Sequence, residues 1–355
     1  MSTHPATAPR PPAQQDGLLL EVRDLCVSFT TPRGRVRAVD GVNLSLREGE
    51  ILAIVGESGS GKSVTAQTML GLTRSPNAEF EGEIRYGGRD LVSASEAELR
   101  KVRGAEIAMI FQDPMTSLNP LQRVGAQIEE MLRLHTDVSK AAARKEAERL
   151  LGEVGIGQAA DRARRYPHEF SGGMRQRAMI ALAIACGPRV LIADEPTTAL
   201  DVTIQAQVLE QLRRLREERG TAIVFITHDL GVVAEVADRV AVMYAGRIVE
   251  TSPNRELFRD PQHPYTWGLL GSVPRADRPR ADALRPIVGS PPDLLAPPEG
   301  CRFRPRCSQE HDRCAQVPPL EARSGDPDHL DACWLEPTHK RSVRTDIIHP
   351  TGRPA

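Results

Sequence analysis

The 355-residue sequence lacks any apolar run long enough to cross a membrane, and it has almost no net charge. Its longest strongly apolar run, about Ala178 to Cys186, is far shorter than the roughly 20 residues that a membrane-spanning helix needs. Lys and Arg total 46 against 47 Asp and Glu, so no overall basic field attracts the chain to nucleic acid or anionic lipid. Met1 to Asp16 lack the basic and apolar regions of a secretory signal. We therefore expect a cytosolic protein with a disordered tail over residues 1–17, followed by one large domain plus an appendage, or by two domains.

A phosphate-binding loop is indicated near the start of the chain. Its residues, which fit G-x-x-x-x-G-K-[ST] at every fixed position, are Gly56, Glu57, Ser58, Gly59, Ser60, Gly61, Lys62 and Ser63. The loop follows an apolar strand, Ile51 to Val55, and precedes a helix-compatible stretch from Ser63 to Leu72. In that frame, backbone N–H groups and the helix N-terminus surround phosphate oxygens. Lys62 is then expected to reach the β- and γ-phosphates and Ser63 to bind Mg²⁺, whereas an ordinary Gly/Ser turn requires neither the lysine nor the flanking elements.

Three other strand-like runs end in polar residues. The runs are Ile107 to Phe111, Val190 to Ala193 and Ala222 to Ile226. Asp194 suits Mg²⁺, and the adjacent Glu195 can polarise a water for in-line attack on the γ-phosphate. His228 can hydrogen-bond the γ-phosphate and hold that water, and the amide of Gln112 can contact Mg²⁺ or the water. Alone, a histidine at a strand end is more often structural and Gln112 would be unremarkable, and the alternative for Asp194 and Glu195 is a surface pair that ends a strand.

A second glycine-rich turn, without a lysine, precedes a helical run that extends to Ala185. Its residues are Ser171, Gly172, Gly173 and Met174. A helix N-terminus with free N–H groups and a hydroxyl is suited to phosphate. Because one nucleotide has one γ-phosphate, the second turn fits the nucleotide of a partner chain, and a glycine hinge or helix cap is the alternative.

The remaining pattern is that of an α/β protein with buried parallel strands. Alternating runs at Leu18 to Phe29 and Val36 to Leu46 predict a small β-rich layer, and Val124 to Val154 predicts a helical insert. Pro and Arg are dense from Pro274 to Pro298, which predicts an extended linker rather than packed elements.

Four of the six cysteines are concentrated near the C-terminus. Cys301, Cys307, Cys314 and Cys333 have the spacing C-x5-C-x6-C-x18-C. In a cytosolic chain this favours a metal site over disulfides, with Zn²⁺ and an iron–sulfur cluster both compatible and free thiols as the alternative. Cys26 and Cys186 stand alone in apolar segments and are predicted to be buried core thiols.

In order and spacing, these motifs resemble the nucleotide-binding domain of an ABC transporter over residues 18–270. The resemblance implies an α/β P-loop NTPase of ABC type, with a RecA-like parallel-sheet core, an antiparallel β subdomain and a helical subdomain at about 113–187. It also implies a head-to-tail dimer in which the Lys62 loop of one subunit and the Ser171 turn of the other enclose ATP. Asp201 is then assigned to communication across the dimer and Phe29 to stacking on adenine. Phe170 and Met174 stand where Leu and Gln are usual.

Three further segments resemble the ATPase subunits of dipeptide, oligopeptide and nickel importers: Phe111 to Pro120, Tyr166 to Glu169 and His263 to Tyr265. The tail from Gly289 to Cys307 is similar to the C-terminal extension of that subfamily, here expected over 271–340 before a flexible tail at 341–355. Members of the subfamily hold a [4Fe–4S] cluster in this extension, so the resemblance favours iron over Zn²⁺.

The resemblance implies an ATPase that uses ATP and Mg²⁺ to drive the import of dipeptides, oligopeptides or related small solutes. Its implied partners are a second ATPase subunit, either a paralogue or another copy, two membrane-spanning permease subunits and, indirectly, an extracytoplasmic solute-binding protein. The resemblance also implies that the protein lies at the cytoplasmic face of the cell membrane and binds no nucleic acid. The rival class is a soluble ABC ATPase acting on DNA or ribosomes. Such proteins usually carry two fused ATPase domains or long coiled coils, and this chain has one phosphate loop, no sustained heptads and no basic stripe.

Overall fold

The computed structural model describes residues 17–113, 117–197, 202–272, 287–323 and 325–348. The strands are β1 (Leu18–Thr31), β2 (Gly34–Arg47), β3 (Ile51–Val55), β4 (Ala78–Tyr86), β5 (Arg89–Asp90), β6 (Ile107–Ile110), β7 (Val190–Asp194), β8 (Ala222–Thr227), β9 (Arg239–Tyr244), β10 (Arg247–Pro253), β11 (Glu321–Ala322) and β12 (Leu330–Asp331). The helices are α1 (Lys62–Met69), α2 (Glu96–Val102), α3 (Val124–His135), α4 (Lys140–Glu153), α5 (Ala159–Arg162), α6 (Gly172–Ile184), α7 (Val202–Arg219), α8 (Leu230–Val236), α9 (Asn254–Arg259), α10 (Pro264–Gly271) and α11 (Pro337–Ile348).

An antiparallel sheet with the strand order β2-β1-β4-β5 forms a separate layer. Long alternating sequences make β1 and β2 a hairpin that runs from the pair Leu18 and Arg47 to the pair Thr31 and Gly34. The predicted β-rich layer is confirmed, and β4 extends it by pairing antiparallel with β1 from Leu20 to Phe29.

The second sheet has the order β11-β12-β10-β9-β3-β8-β7-β6, and β3 lies between the parallel strands β8 and β9. Every residue of β3, β7 and β8 is buried, as the nearly continuous apolar runs predict. Because β3, β8, β7 and β6 are parallel, their carboxyl ends meet at one edge of the sheet. The loops that follow these strands, with the polar residues predicted to carry chemistry, are thereby brought together.

The helical insert packs as its own layer around apolar side chains of α3, α4 and α6, including Ile128, Leu150 and Ile180. Ser139 caps α4, accepting a hydrogen bond from the N–H of Ala142 over 3.2 Å. No helix among the described residues is long and apolar enough to span a membrane.

The C-terminal extension is packed onto the nucleotide-binding part, and the predicted linker, Pro274 to Pro298, is described only from residue 287 onward. Strand β12 pairs antiparallel with β10, and Phe303, 4% exposed, lies against the rings of Tyr244 and Tyr265. Although residues 287–298 form no helix or strand, Ile287 and Leu294 pack against the same apolar cluster. The extension therefore shares a core with the main sheet instead of needing one of its own.

The expected flexible tail at 341–355 is also corrected, because α11 continues to Ile348. The helix is held by the fully buried ammonium of Lys340, which donates to Oδ1 of Asp331 over 2.5 Å, and by an ion pair between Arg344 and Asp260. The expected disordered residues 1–16 and the last residues, 349–355, lie outside the described part of the chain.

Candidate functional site

The predicted phosphate loop joins β3 to α1 and has a backbone that only glycine accommodates at two positions. Gly56 and Gly61 have φ of 155° and 103°, in the region that L side chains rarely adopt. A Cβ at Gly56 would lie 2.1 Å from the carbonyl oxygen of Met243, and one at Gly61 would lie 2.5 Å from that of Ala38. Close approach to β9 and β2 therefore fixes both glycines.

Lys62 lies inside this loop and is only 5% exposed. Its ammonium donates to the carbonyl oxygens of Gly56, at 2.8 Å, and Glu57, at 2.9 Å. Burial lowers the pKa of Lys62, while the carboxylates of Glu195 and Asp194 oppose that shift. A cation held by two neutral carbonyl groups can exchange them for phosphate oxygens at little cost.

Ser63 and Asp194 meet across the sheet edge. The Ser63 hydroxyl donates to Oδ1 of Asp194 over 3.0 Å, and Asp194 is 2% exposed. Burial raises the pKa of Asp194, and the hydrogen bond from Ser63 opposes the rise. The Ser63 hydroxyl beside the buried Asp194 carboxylate gives a pair of oxygen donors of the kind that Mg²⁺ prefers.

Glu195 follows directly and takes an unusual backbone conformation, with φ of 48°. Gln112 donates from Nε2 to Oε2 of Glu195 over 3.1 Å, and Nδ1 of His228 lies 3.4 Å from Oε1. The side chain of His228 is 62% exposed, whereas that of Glu195 is 15% exposed. The structure thus brings together the polar residues that follow β6, β7 and β8, around one carboxylate that water can approach.

The second glycine-rich turn lies elsewhere. Ser171 caps α6, its hydroxyl accepting from the N–H of Met174 over 3.3 Å, and Gly173 faces Ile204. Between the described residues, no hydrogen bond joins this turn to the phosphate loop. Phe170 is 3% exposed and belongs to the core of the helical layer, so the unusual Phe occupies an apolar position away from phosphate.

The remaining predicted residues have less contact with this site. Phe29 pairs with Val36 of β2 and Ala78 of β4 near the end of β1, and it is only partly buried. Ser58 and Gly59 are exposed at the tip of the phosphate loop. Asp201 lies outside the described residues.

Three contacts escaped the sequence reasoning. Gln176, 2% exposed, donates from Nε2 to the carbonyl oxygen of Pro196 over 2.6 Å and so ties α6 to the segment after Glu195. The hydroxyl of Tyr265 accepts from the N–H of Glu57 over 2.8 Å, and Arg306 forms an ion pair with the carboxylate of Glu57. Only Gln176 had a local signal, its place after the second glycine turn.

The four C-terminal cysteines line one cavity together with Phe303 and Leu335. Burial raises the pKa of Cys301, and it raises the pKa of Cys307 and of Cys333 to about 12. Among the described residues, no group of three or more His, Cys, Asp or Glu is arranged to hold a metal ion, which gives neither Zn²⁺ nor an iron–sulfur cluster support.

Cys26 and Cys186 lie away from this cavity. Both are half-buried rather than fully buried as predicted, because Cys26 accepts from the N–H of Gly41 near the surface and Cys186 lies beside the carbonyl oxygen of Met131. Burial nevertheless raises the pKa of Cys186 to about 11.

Comparison with known families gives two matches. The ABC transporter family profile matches residues 39–198, which include the phosphate loop, the Ser171 turn and Glu195. The profile described as the C-terminal region of oligopeptide/dipeptide transporters matches residues 249–314, which include three of the cavity cysteines.

Individual relatives match over most of their length. The chain is 59% identical over 291 residues to the oligopeptide transport ATP-binding protein OppD of Bacillus subtilis, which covers 82% of this chain and 81% of that protein. It is 53% identical over 319 residues to the dipeptide transport ATP-binding protein DppD of the same organism, covering 90% and 95%. With OppD of Escherichia coli the identity is 52% over 329 residues, covering 92% and 96%.

Solved structures share the fold. A dimeric ATP-binding cassette in a post-hydrolysis state, bound to ADP and Pi, matches with a TM-score of 0.61 and 28% identity, covering 67% of this chain and 99% of that one. The cbiO1 protein of Clostridium perfringens, part of an ABC transporter complex, matches with a TM-score of 0.57 and 27% identity, covering 69% and 92%.

Proposed function

Because the chain belongs to the oligopeptide/dipeptide family of ABC transporter ATP-binding proteins, we propose that it hydrolyses ATP between two nucleotide-binding domains to drive solute import. The proposed solutes are dipeptides, oligopeptides or related small molecules. One observation carries the proposal: the Lys62 loop, the Ser63 and Asp194 pair, and the group around Glu195 lie at one edge of a parallel sheet.

ATP binding rests on the phosphate loop. Its N–H groups and the Lys62 ammonium bind the β- and γ-phosphates once that ammonium leaves the carbonyl oxygens of Gly56 and Glu57. The hydroxyl of Ser63, the carboxylate of Asp194 and the amide of Gln112 would hold Mg²⁺, which when bound supplies positive charge at the phosphate oxygens.

Hydrolysis is assigned to Glu195. Its carboxylate orients and polarises the attacking water, while the amide of Gln112 fixes one carboxylate oxygen. His228, which lies beside the other oxygen and is largely exposed, is available to donate to the γ-phosphate. Glu195 also has a left-handed backbone, a strained conformation of the kind that clusters at functional sites.

The dimer supplies the second half of the site. In this proposal the Ser171 turn binds the γ-phosphate held by a partner subunit, with Asp201 at the interface and Phe29 stacked on adenine. Two observations support it: Ser171 already caps a helix whose N-terminus offers N–H groups, and a structural neighbour is a dimeric cassette bound to ADP and Pi. The partner is another copy or a paralogue.

The membrane subunits are proposed to dock on the helical layer. A groove of about 730 Å³ there is lined by Arg123, Arg165 and Tyr166, among other polar residues, and Leu121 just before it is 85% exposed. One part of this surface, Leu121 and Arg123, follows Gln112 closely in the chain, which suits a contact that senses the nucleotide. It would hold the protein at the cytoplasmic face of the membrane, with the extracytoplasmic solute-binding protein reached only through the permease subunits.

The cysteine cavity is proposed to hold a [4Fe–4S] cluster. Four thiols on one cavity match the ligand count of such clusters, and a cluster accepts thiolates that lie farther apart than those around a single ion. Cys301, Cys307, Cys314 and Cys333 would be the ligands. The bound cluster would supply the charge that keeps these buried thiols deprotonated.

Glu195→Gln tests the ATPase assignment. The variant is expected to bind ATP as the wild type does and to lose turnover by about 10²- to 10⁴-fold, since the amide cannot accept a proton from water. Glu210→Gln, an exposed substitution on α7, is the matched control and should leave turnover unchanged. Undiminished phosphate release by Glu195→Gln would show that another group activates the water.

A further inference from the structure

The cysteine-bearing extension contacts the phosphate loop directly through one side chain, that of Arg306. Its Nη1 donates to Oε2 of Glu57 over 2.6 Å and its Nη2 donates to Oε1 over 3.0 Å. The guanidinium thus holds the carboxylate with two parallel charge-assisted hydrogen bonds, a geometry that adds direction as well as attraction. Glu57 is the second residue of the phosphate loop, so a residue 249 positions later in the chain reaches the nucleotide site.

Arg306 is itself fixed, with a side chain that is only 5% exposed. Its Nε donates to the carbonyl oxygen of Val288 over 3.0 Å, and Nη2 also donates to the carbonyl oxygens of Gly289, at 3.2 Å, and Ile287, at 3.3 Å. The hydroxyl of Tyr244, at the end of β9, accepts from Nη1 over 3.3 Å. A guanidinium held from both the extension and the main sheet acts as a rigid anchor for whatever it binds.

Glu57 passes this restraint to the lysine of the loop. Its N–H donates to the hydroxyl of Tyr265, and its carbonyl oxygen accepts from the ammonium of Lys62 over 2.9 Å. Arg306 therefore binds the side chain of Glu57, Tyr265 accepts from its N–H, and Lys62 donates to its C=O. Arg306 and Tyr265 both come after β10 in the chain. Loss of the contact to the Glu57 side chain or to its N–H leaves a loop that the nucleotide must order when it binds, and that ordering lowers affinity.

We propose that Arg306 is a positioning residue of the nucleotide site, which through Glu57 preorganises the phosphate loop for ATP. The inference rests on the proposed binding of ATP at Lys62, and it adds the C-terminal extension to the parts that determine affinity. It places Arg306 in a supporting role, because the side chain contacts the loop and not the phosphates.

The test measures equilibrium ATP affinity and, at saturating ATP, turnover of the full-length protein. Arg306→Met and Glu57→Ala are each expected to weaken ATP binding by roughly tenfold, within the usual range for coupled sites, and Arg306→Met should raise the half-saturating ATP concentration more than it lowers saturated turnover. The double variant should bind ATP about as well as the single variant with the larger loss of affinity, since both substitutions remove the same contact. Arg306→Lys should fall between, because an ammonium cannot make two parallel bonds.

Arg304→Gln is the matched control. Arg304 lies on the same short 3₁₀ helix and pairs with Glu310 instead of Glu57, so its loss should leave ATP affinity unchanged. If Arg306→Met fails to fold, Glu57→Ala decides alone, because it leaves the extension intact. Wild-type affinity in Glu57→Ala, or losses that multiply in the double variant, would overturn the inference. A wild-type protein that binds no ATP would instead overturn the proposed function.

Discussion

The hydroxyl of Ser63 donates a hydrogen bond to Oδ1 of Asp194, joining the first turn of α1 to the last residue of β7 over 3.0 Å. Burial raises the pKa of the Asp194 carboxyl, and this hydrogen bond, together with the nearby ammonium of Lys62, opposes the rise. A Mg²⁺ ion bound at this oxygen pair would add positive charge that favours the ionised carboxylate.

Asp194→Asn should accordingly separate stability from activity. Because burial raises the pKa of Asp194, the folded state favours the protonated form, and ionisation at neutral pH costs stability. Without nucleotide or Mg²⁺, the variant should melt at or above the wild-type temperature at pH 7 to 8, and this difference should shrink as the pH approaches 4. Turnover should fall by at least about a hundredfold. Thermal melts measure the stability and Mg²⁺-dependent phosphate release measures the turnover. Asp137→Asn, at an exposed position, is the control. An Asp194→Asn protein that is less stable than wild type at pH 8 would contradict the prediction.

His263 should make the protein sensitive to acid. Burial lowers its pKa from 6.5 to about 4, so the unfolded chain takes up a proton that the folded state does not, and stability falls as the pH drops between those values. The Nδ1 of His263 accepts from the N–H of Tyr265 at the start of α10, and an Asn oxygen can replace it.

His263→Asn should therefore lose less stability than wild type between pH 6.5 and 4, by roughly 3 kcal/mol. Urea unfolding at a series of pH values measures it. The exposed His339→Asn should follow the wild-type curve. Parallel curves for His263→Asn and wild type would mean that His263 is protonated in the folded protein.

The buried pair of Lys340 and Asp331 should dominate the attachment of α11. Both side chains are fully buried, so Lys340→Met leaves an uncompensated carboxylate and should cost about 3–5 kcal/mol of unfolding free energy. Adding Asp331→Asn should recover part of that loss. Arg144→Met, which breaks an exposed pair with Glu148, should cost less than about 1 kcal/mol. Equal losses of unfolding free energy in Lys340→Met and Arg144→Met would rule out a special role for burial.

The cysteine cavity gives a spectroscopic prediction. Protein purified without oxygen should be brown with broad visible absorption, and Cys307→Ser should abolish the colour because it removes one cavity thiol. Cys26→Ser, which removes a thiol outside the cavity, should keep the colour. A colourless wild-type protein that contains one equivalent of zinc by metal analysis would replace iron with zinc at this site.

The elements with a local signature were predictable from the sequence. Strand β3 with its phosphate loop, and the capping box in which Ser95 and Glu98 exchange hydrogen bonds at the start of α2, are each specified within a few residues. The convergence of Gln112, Asp194 and His228 could be anticipated because parallel strands end at a common edge. Their mutual distances could not.

The attachment of the extension was not predictable in the same way. Strand β12 is two residues long and has no alternation to reveal it, and its pairing with β10 depends on a buried contact between His329 and Glu250, 79 residues apart. Arg306 and Glu57 are both charged, and nothing in the sequence around either residue indicates that they pair. The packing of Phe303 and its neighbours brings these residues together, and that packing exists only once the main sheet has formed.

The short strands β12 and β11 also determine how the large sheet ends. Without them β10, a seven-residue strand, would present its open hydrogen-bonding groups to other molecules, the arrangement that leads to aggregation through added strands. With them the outermost strand is only Glu321–Ala322, which is exposed, short and charged and so a poor template for a further strand. A chain that ended before this extension would lose its protection against self-association even if its nucleotide site stayed intact.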